Sequence, residues 1–173
     1  MRHLGFLLIL LAFCGDLPAQ QARPVYSSIQ NCPQIARVVL AERTIVGSAS
    51  ERLTRCEGPA GYRLIVVDQD PRSWLAVEVG GRAYSLYGPM VQFFTLGHFP
   101  DISPTRVVEW RLDAGGTPTA LIVRVHYQDP DAPATSPSAR KSTLMVFGLA
   151  GLPPRHLGSV ADNDAARRLA DAE

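Results

Sequence analysis

Lysine is almost missing from this chain: Lys141 is the only one in 173 residues. Charged side chains make up 19% of the sequence, below the usual quarter, and 17 basic against 16 acidic residues leave a formal charge of +1. That balance provides no field that selects a polyanion, so nucleic acid and anionic membrane surfaces are not expected partners. Cysteine is scarce, at Cys14, Cys32 and Cys56 only. Long apolar runs are missing too. The greasiest early stretch, Leu4 to Phe13, is too short to cross a bilayer of roughly 30 Å as a helix. Disorder and collagen-like repeats are excluded by an apolar fraction of 46%.

What is there begins with an address. Met1-Arg2-His3 followed by the Leu4–Phe13 run, with Gly15, Asp16 and Pro18 breaking the pattern and Ala19 and Ala22 as small residues beyond, reads as a secretory signal peptide over residues 1–19. Cleavage is expected after Ala19, with Ala22 as the second choice. Cys14 follows Leu11-Ala12-Phe13, loosely like a lipobox, but the bulky Phe13 stands where a small residue should, so acylation is the lesser reading. Removing residues 1–19 takes away Cys14, Arg2 and Asp16 and leaves the charge at +1. Residues 20–173 then form a single periplasmic or secreted domain with two cysteines. In an oxidising compartment Cys32 and Cys56 read as one disulfide, closing a loop worth roughly 3 kcal/mol. A metal pair is the alternative, and it needs more Cys or His at ligand spacing.

Most of the mature chain patterns as strand. Residues 20–35 read as an extended lead-in, and 36–47 fit either one β element or a short helix. Tyr62 to Asp68 is rich in β-branched residues and ends in the turn cluster Asp68-Gln69-Asp70-Pro71. Trp74–Val79, Gly80-Gly81 and Arg82–Tyr87 read as a hairpin, since both glycines can take positive φ. Its register places Val77 opposite Tyr84, Leu75 opposite Leu86 and Trp74 opposite Tyr87. Arg106 to Leu112 alternates, with Val108, Trp110 and Leu112 on one face and Glu109 and Arg111 on the other. A turn at 113–117 leads to a strand over 119–127. Residues 128–141 are small, polar and Pro-rich and are expected to be a flexible loop. Strands follow at 142–149 and 155–160, and Asp162 caps a final helix with Ala165, Ala166, Leu169 and Ala170 on one side. The fold class expected is mainly β (α+β): an antiparallel sheet or partly closed barrel of about six to eight strands with a C-terminal helix.

No catalytic set assembles in the sequence. The mature histidines His98, His126 and His156 show no metal-ligand spacing, and no metal or other cofactor is expected. There is no nucleophile elbow, and a disulfide leaves no thiolate. Asp68/Asp70 and Asp129/Asp131 sit beside prolines in turns, where Asp is common. Gly80-Gly81 and Gly115-Gly116 precede strands, so they are not phosphate loops. The richest unassigned feature is the segment 88–99 with its aromatics. It reads as a loop packed over the core or as an apolar binding surface, whose residues would be Tyr87, Phe93, Phe94 and Phe99.

Taken in order, Cys32 and Cys56 with Gly58 and Gly61-Tyr62, then Val108-Glu109-Trp110-Arg111-Leu112, then His156-Leu157-Gly158-Ser159-Val160 and Asn163 to Asp171, resemble a family of small uncharacterised secreted proteins of alphaproteobacteria. The resemblance covers most of the mature chain. It implies a periplasmic or secreted location and brings no assigned activity. Some members carry a cysteine just before the histidine; this chain has Arg155 there. Cys56-Glu57-Gly58 and Gly80 to Ser85 also resemble part of the small β-barrel lysozyme inhibitors. The expected function is therefore a non-enzymatic envelope domain that binds a partner or small ligand. The alternatives are lysozyme inhibition and a hydrolase using His98 or His156 with a nearby carboxylate.

Overall fold

Alternation in Val107–Leu112 demands two unlike faces, and the fold supplies a different layer for each. In the computed structural model, residues 22–48, 50–133, 136 and 139–173 are described. The leader with Cys14 and Ala19 therefore lies outside the described residues, as do positions 134, 135, 137 and 138 of the 128–141 loop. The strands are β1 (Arg23–Ser28), β2 (Arg37–Val39), β3 (Thr44–Val46), β4 (Glu51–Glu57), β5 (Arg63–Gln69), β6 (Arg72–Val79), β7 (Arg82–Ser85), β8 (His98–Asp101), β9 (Val107–Leu112), β10 (Pro118–Gln128), β11 (Arg140–Gly148) and β12 (Arg155–Val160). The one α-helix among the described residues, α1, spans Asn163–Asp171. The protein is mainly β, with antiparallel sheets and one C-terminal helix, and the described strands form no closed barrel.

The larger sheet runs β1-β9-β10-β11-β12, and β8 pairs with the far end of β10. The smaller sheet is β4-β5-β6-β7, and β2 and β3 form a separate hairpin. This gives more strands than the sequence shows, because several hide in segments without clear alternation. The lead-in holds β1, which pairs with β9 from Arg23↔Leu112 to Ser28↔Val107. The ambiguous 36–47 segment is the β2–β3 hairpin. Gln128, Arg140 and Lys141, placed by the sequence in a loop, continue the β10–β11 ladder.

The Gly80-Gly81 hairpin forms in the expected register. Both glycines have positive φ, +58° and +77°, and Val77 pairs with Tyr84. Leu86 donates its N–H to the carbonyl of Leu75, and the Trp74 and Tyr87 rings meet edge to face at 5.3 Å. Trp74 is fully buried, however, because both faces of β6 are covered. The strap 33–41 explains this. Gln34 bridges Thr54 in β4, and Leu40 bridges Ala83 in β7, the opposite edge of the same sheet. The chain between them crosses one face of the sheet and brings Val38 and Leu40 into the core, joined by Ile45 of β3. The disulfide Cys32–Cys56 fixes the start of that strap to β4.

The other face of the smaller sheet packs against the larger one, with Leu64, Leu75 and Val77 in one apolar cluster with Trp110, Leu121, Val123 and Phe147. The Trp110 indole donates to Ser27 at 3.0 Å and meets Tyr62 edge to face at 6.0 Å. On the far side of the larger sheet α1 lays Ala166 and Ala170 against Ala120, Ile122, Leu144 and Val146. Asp162 caps it, its carboxylate accepting from the Ala165 N–H at 2.8 Å. The result is three layers: helix, larger sheet, smaller sheet.

Candidate functional site

Strand β8 ties the two sheets together at one end and borders the recesses beside it. It pairs with β10, with Asp101 opposite His126 and His98 opposite Gln128. Toward the smaller sheet, the buried Ser73 hydroxyl of β6 donates to Asp101 Oδ1 at 2.6 Å and accepts from the Ile102 N–H at 2.7 Å. The Ser103 N–H also donates to Oδ1, and its hydroxyl donates to Oδ2. Asp101 is thus a structural rivet whose oxygens are already occupied.

Beside this rivet lies a cavity of about 460 Å³, lined among others by Phe99, Pro71, His126, Tyr127, Asp101 and Arg140. It continues through Pro71, Asp101 and Arg140 into a more polar recess of about 620 Å³ that contains Arg52, Asp68 and Arg72. Arg52, Asp68 and Ser103 in turn border a third recess reaching Gln30 and Cys32. These adjacent recesses, which share side chains, make up the cleft at this end of the sheets.

Local backbone places the aromatic wall. A π-helical turn at Gly88–Gln92 buries Met90 and sends the chain back toward β10. Gly97 has no room for a side chain, since a Cβ there would collide with the Gln128 carbonyl and the Tyr127 ring. The close approach it permits brings Phe99 to the cleft. Phe99 has φ of +51°, a left-handed conformation rarely adopted by aromatic residues. Its ring lies under the guanidinium of Arg72, 5.6 Å from the centroid.

The four aromatics expected as a binding surface separate into two roles. Tyr87 is half-buried against Trp74, has Arg43 over its ring at 5.4 Å, and borders a different recess of about 340 Å³. Phe94 packs on the core and meets Tyr127 edge to face at 5.4 Å. These two anchor the segment. Phe93, 68% exposed, and Phe99, 45% exposed, face outward together with Leu96. Only Phe99 of the four lines the cleft.

The chain matches no protein-family profile, no curated protein and no solved structure. The site is therefore read from its own chemistry.

His126 has its pKa lowered, first by burial and then by the neighbouring Arg124, so the imidazole is neutral at pH 7. His98 is exposed next to Phe99, and the His156 ring tilts on Phe147 with Nε2 3.3 Å from the Ser159 hydroxyl. Among the described residues neither His98 nor His156 forms an ion pair with a carboxylate. Among the described residues no group of three His, Cys, Asp or Glu stands ready to hold a metal ion. Sequence reasoning missed Arg140 and Asp101 as cleft residues and Ser73 as the buried tie behind Asp101, and left His126 among edge histidines. The one available signal was the tandem of turn residues at 68–72 with the greasy 88–99 segment, and it does not reveal that the two meet.

Proposed function

We propose that this chain is an exported, non-enzymatic β domain that binds a ligand or envelope partner at the mouth of the cleft between its sheets. The observation that carries the reading is the division of labour in residues 87–99. Tyr87 and Phe94 hold the segment to the core while Phe93, Leu96 and Phe99 are left outward, the last at a cavity of about 460 Å³. Apolar side chains held outward beside a preformed concavity are the usual make-up of a recognition site. Export is supported by the Leu4–Phe13 run behind Arg2 and by the disulfide, and the resemblance to small secreted proteins points the same way.

A hydrogen bond favours cleavage after Ala19 over cleavage after Ala22. Arg111 Nη2 donates to the Ala22 carbonyl at 2.7 Å, an acceptor that cleavage after Ala22 would remove. Cleavage after Ala19 keeps it. Amino-terminal sequencing of the exported protein should begin at Gln20; a start at Arg23 would refute this.

Photo-crosslinking in the producing cells tests the binding reading. A photoreactive phenylalanine analogue at Phe93 or Phe99 should give discrete adducts. The same analogue at the exposed Val39 or Leu152, on other parts of the surface, should give none. Equal labelling at all four positions, or none at 93 and 99, would overturn the proposal.

A further inference from the structure

Two arginines in the cleft form no ion pair with any described residue. Arg52 is matched by Asp68 at 2.6 Å, but neither Arg140 nor Arg72 forms an ion pair among the described residues. Arg72 lies over the Phe99 face, an arrangement that leaves its in-plane N–H donors free. Asp101 lines the same cavity as Arg140, yet its oxygens already accept from Ser73 and Ser103. A guanidinium without a partner, beside an apolar wall of Phe99, Pro71 and Tyr127, fits an anion that carries an apolar body. Phe99 keeps a left-handed backbone there, and such strain in a non-glycine residue is concentrated at functional sites.

We infer that the cavity binds a carboxylate borne on an aromatic or apolar body, with Arg140 as the anchor and Phe99 as the platform. This deepens the binding reading above and rests on it. The charge of the ligand is set by the wall. Asp101 opposes a dianion such as phosphate more than it opposes a single carboxylate. The neutral His126 supplies an N–H without adding a second cation that would favour a dianion. A cavity of about 460 Å³ is within the range of small-ligand sites.

The test is a titration of the oxidised protein followed through its backbone amide NMR signals. Four probes are used: N-acetylphenylalanine, its neutral amide, a short peptide ending in a free C-terminal phenylalanine, and inorganic phosphate. The acid should shift Phe99, His126 and Arg140, and the amide should bind about tenfold more weakly or worse. R140Q should reduce binding of the acid to the level of the amide with an unchanged thermal midpoint, since Arg140 forms no ion pair among the described residues. The acid and peptide arms tell a small carboxylate from a chain terminus. An amide that binds as well as the acid, or phosphate that binds more tightly, overturns the anion inference and leaves the binding reading standing. Absence of cleft shifts with every probe also overturns it, while the binding reading then stands or falls on the cross-links at 93 and 99.

Discussion

Ser73 shows what a single hydroxyl does at a junction between sheets. It is 1% exposed, gives its proton to Asp101 and takes one from the Ile102 N–H. S73A leaves a buried amide without an acceptor and removes one donor from a carboxylate. The expected loss is about 1–3 kcal/mol, read as a lowered urea midpoint. The amides of β8 should also exchange faster, because Ser73 is the tie between β8 and β6. A variant with wild-type stability and unchanged exchange at β8 would show that the rivet carries no load. In the sequence Ser73 is an ordinary polar residue after a turn, and nothing local marks it. Its importance comes from a partner 28 positions away.

The β9–α1 contact is where an element changes the meaning of its residues. Alternation puts Glu109 and Arg111 on the face opposite Trp110, and in a two-layer protein that face would be wet. Here α1 covers it, so Glu109 is 8% exposed and Arg111 5%. The charges survive burial because they are fully paired. Arg111 donates twice to Asp171 at 2.7 Å and once to Glu109 at 3.0 Å. Arg167 and the Tyr26 hydroxyl complete the shell of Glu109. R111M breaks the pairing and strands carboxylates beneath the helix, at a cost of about 3–5 kcal/mol in denaturant unfolding. The same network sets an acid limit. Burial alone would raise the Glu109 pKa, but Arg167, Arg111 and Tyr26 together hold it below the ordinary 4.5. A carboxylate with a depressed folded pKa contributes stability that is complete above its unfolded value and lost as pH falls through the folded one. Thermal midpoints should therefore drop below about pH 4.5 in the wild type and less steeply in E109Q. Parallel pH profiles for the two proteins would contradict this. The helix itself was legible in the sequence, cap and apolar side included; the surface it would cover was not.

At the scale of the molecule, two sheets are held in register by β8 at one end, while the strap 33–41 wraps the smaller sheet at the other level. The disulfide closes a separation of 24 residues that contains the strap and the β2–β3 hairpin. Reduction should lower stability by roughly 3 kcal/mol, or about 6–12 °C in midpoint for a chain of this size. The amides of β2, β3 and β4 should lose protection first, with β9–β11 least affected. Uniform loss of protection across both sheets would mean that the strap and the larger sheet unfold as one unit.

Strand content, the Gly80-Gly81 hairpin with its register, the split of β9 into two faces, the cysteine pair and the capped terminal helix were all set by local sequence. Each depends on neighbours within a few residues or, for the cysteines, on there being only two beyond the N-terminal apolar run. Tertiary structure alone decided the rest. Period-2 alternation tells which side chains share a face but not what covers it, so the pairing of Glu109 and Arg111 on one face was legible and their burial was not. The strap and β1 show little alternation because their burial comes from distant strands. The cavity beside Phe99 is lined by Pro71 in the β5–β6 turn and by residues of β8, β10 and β11, which lie up to about seventy positions apart. A cavity is a property of surfaces that fail to meet, and no short window of sequence contains both surfaces.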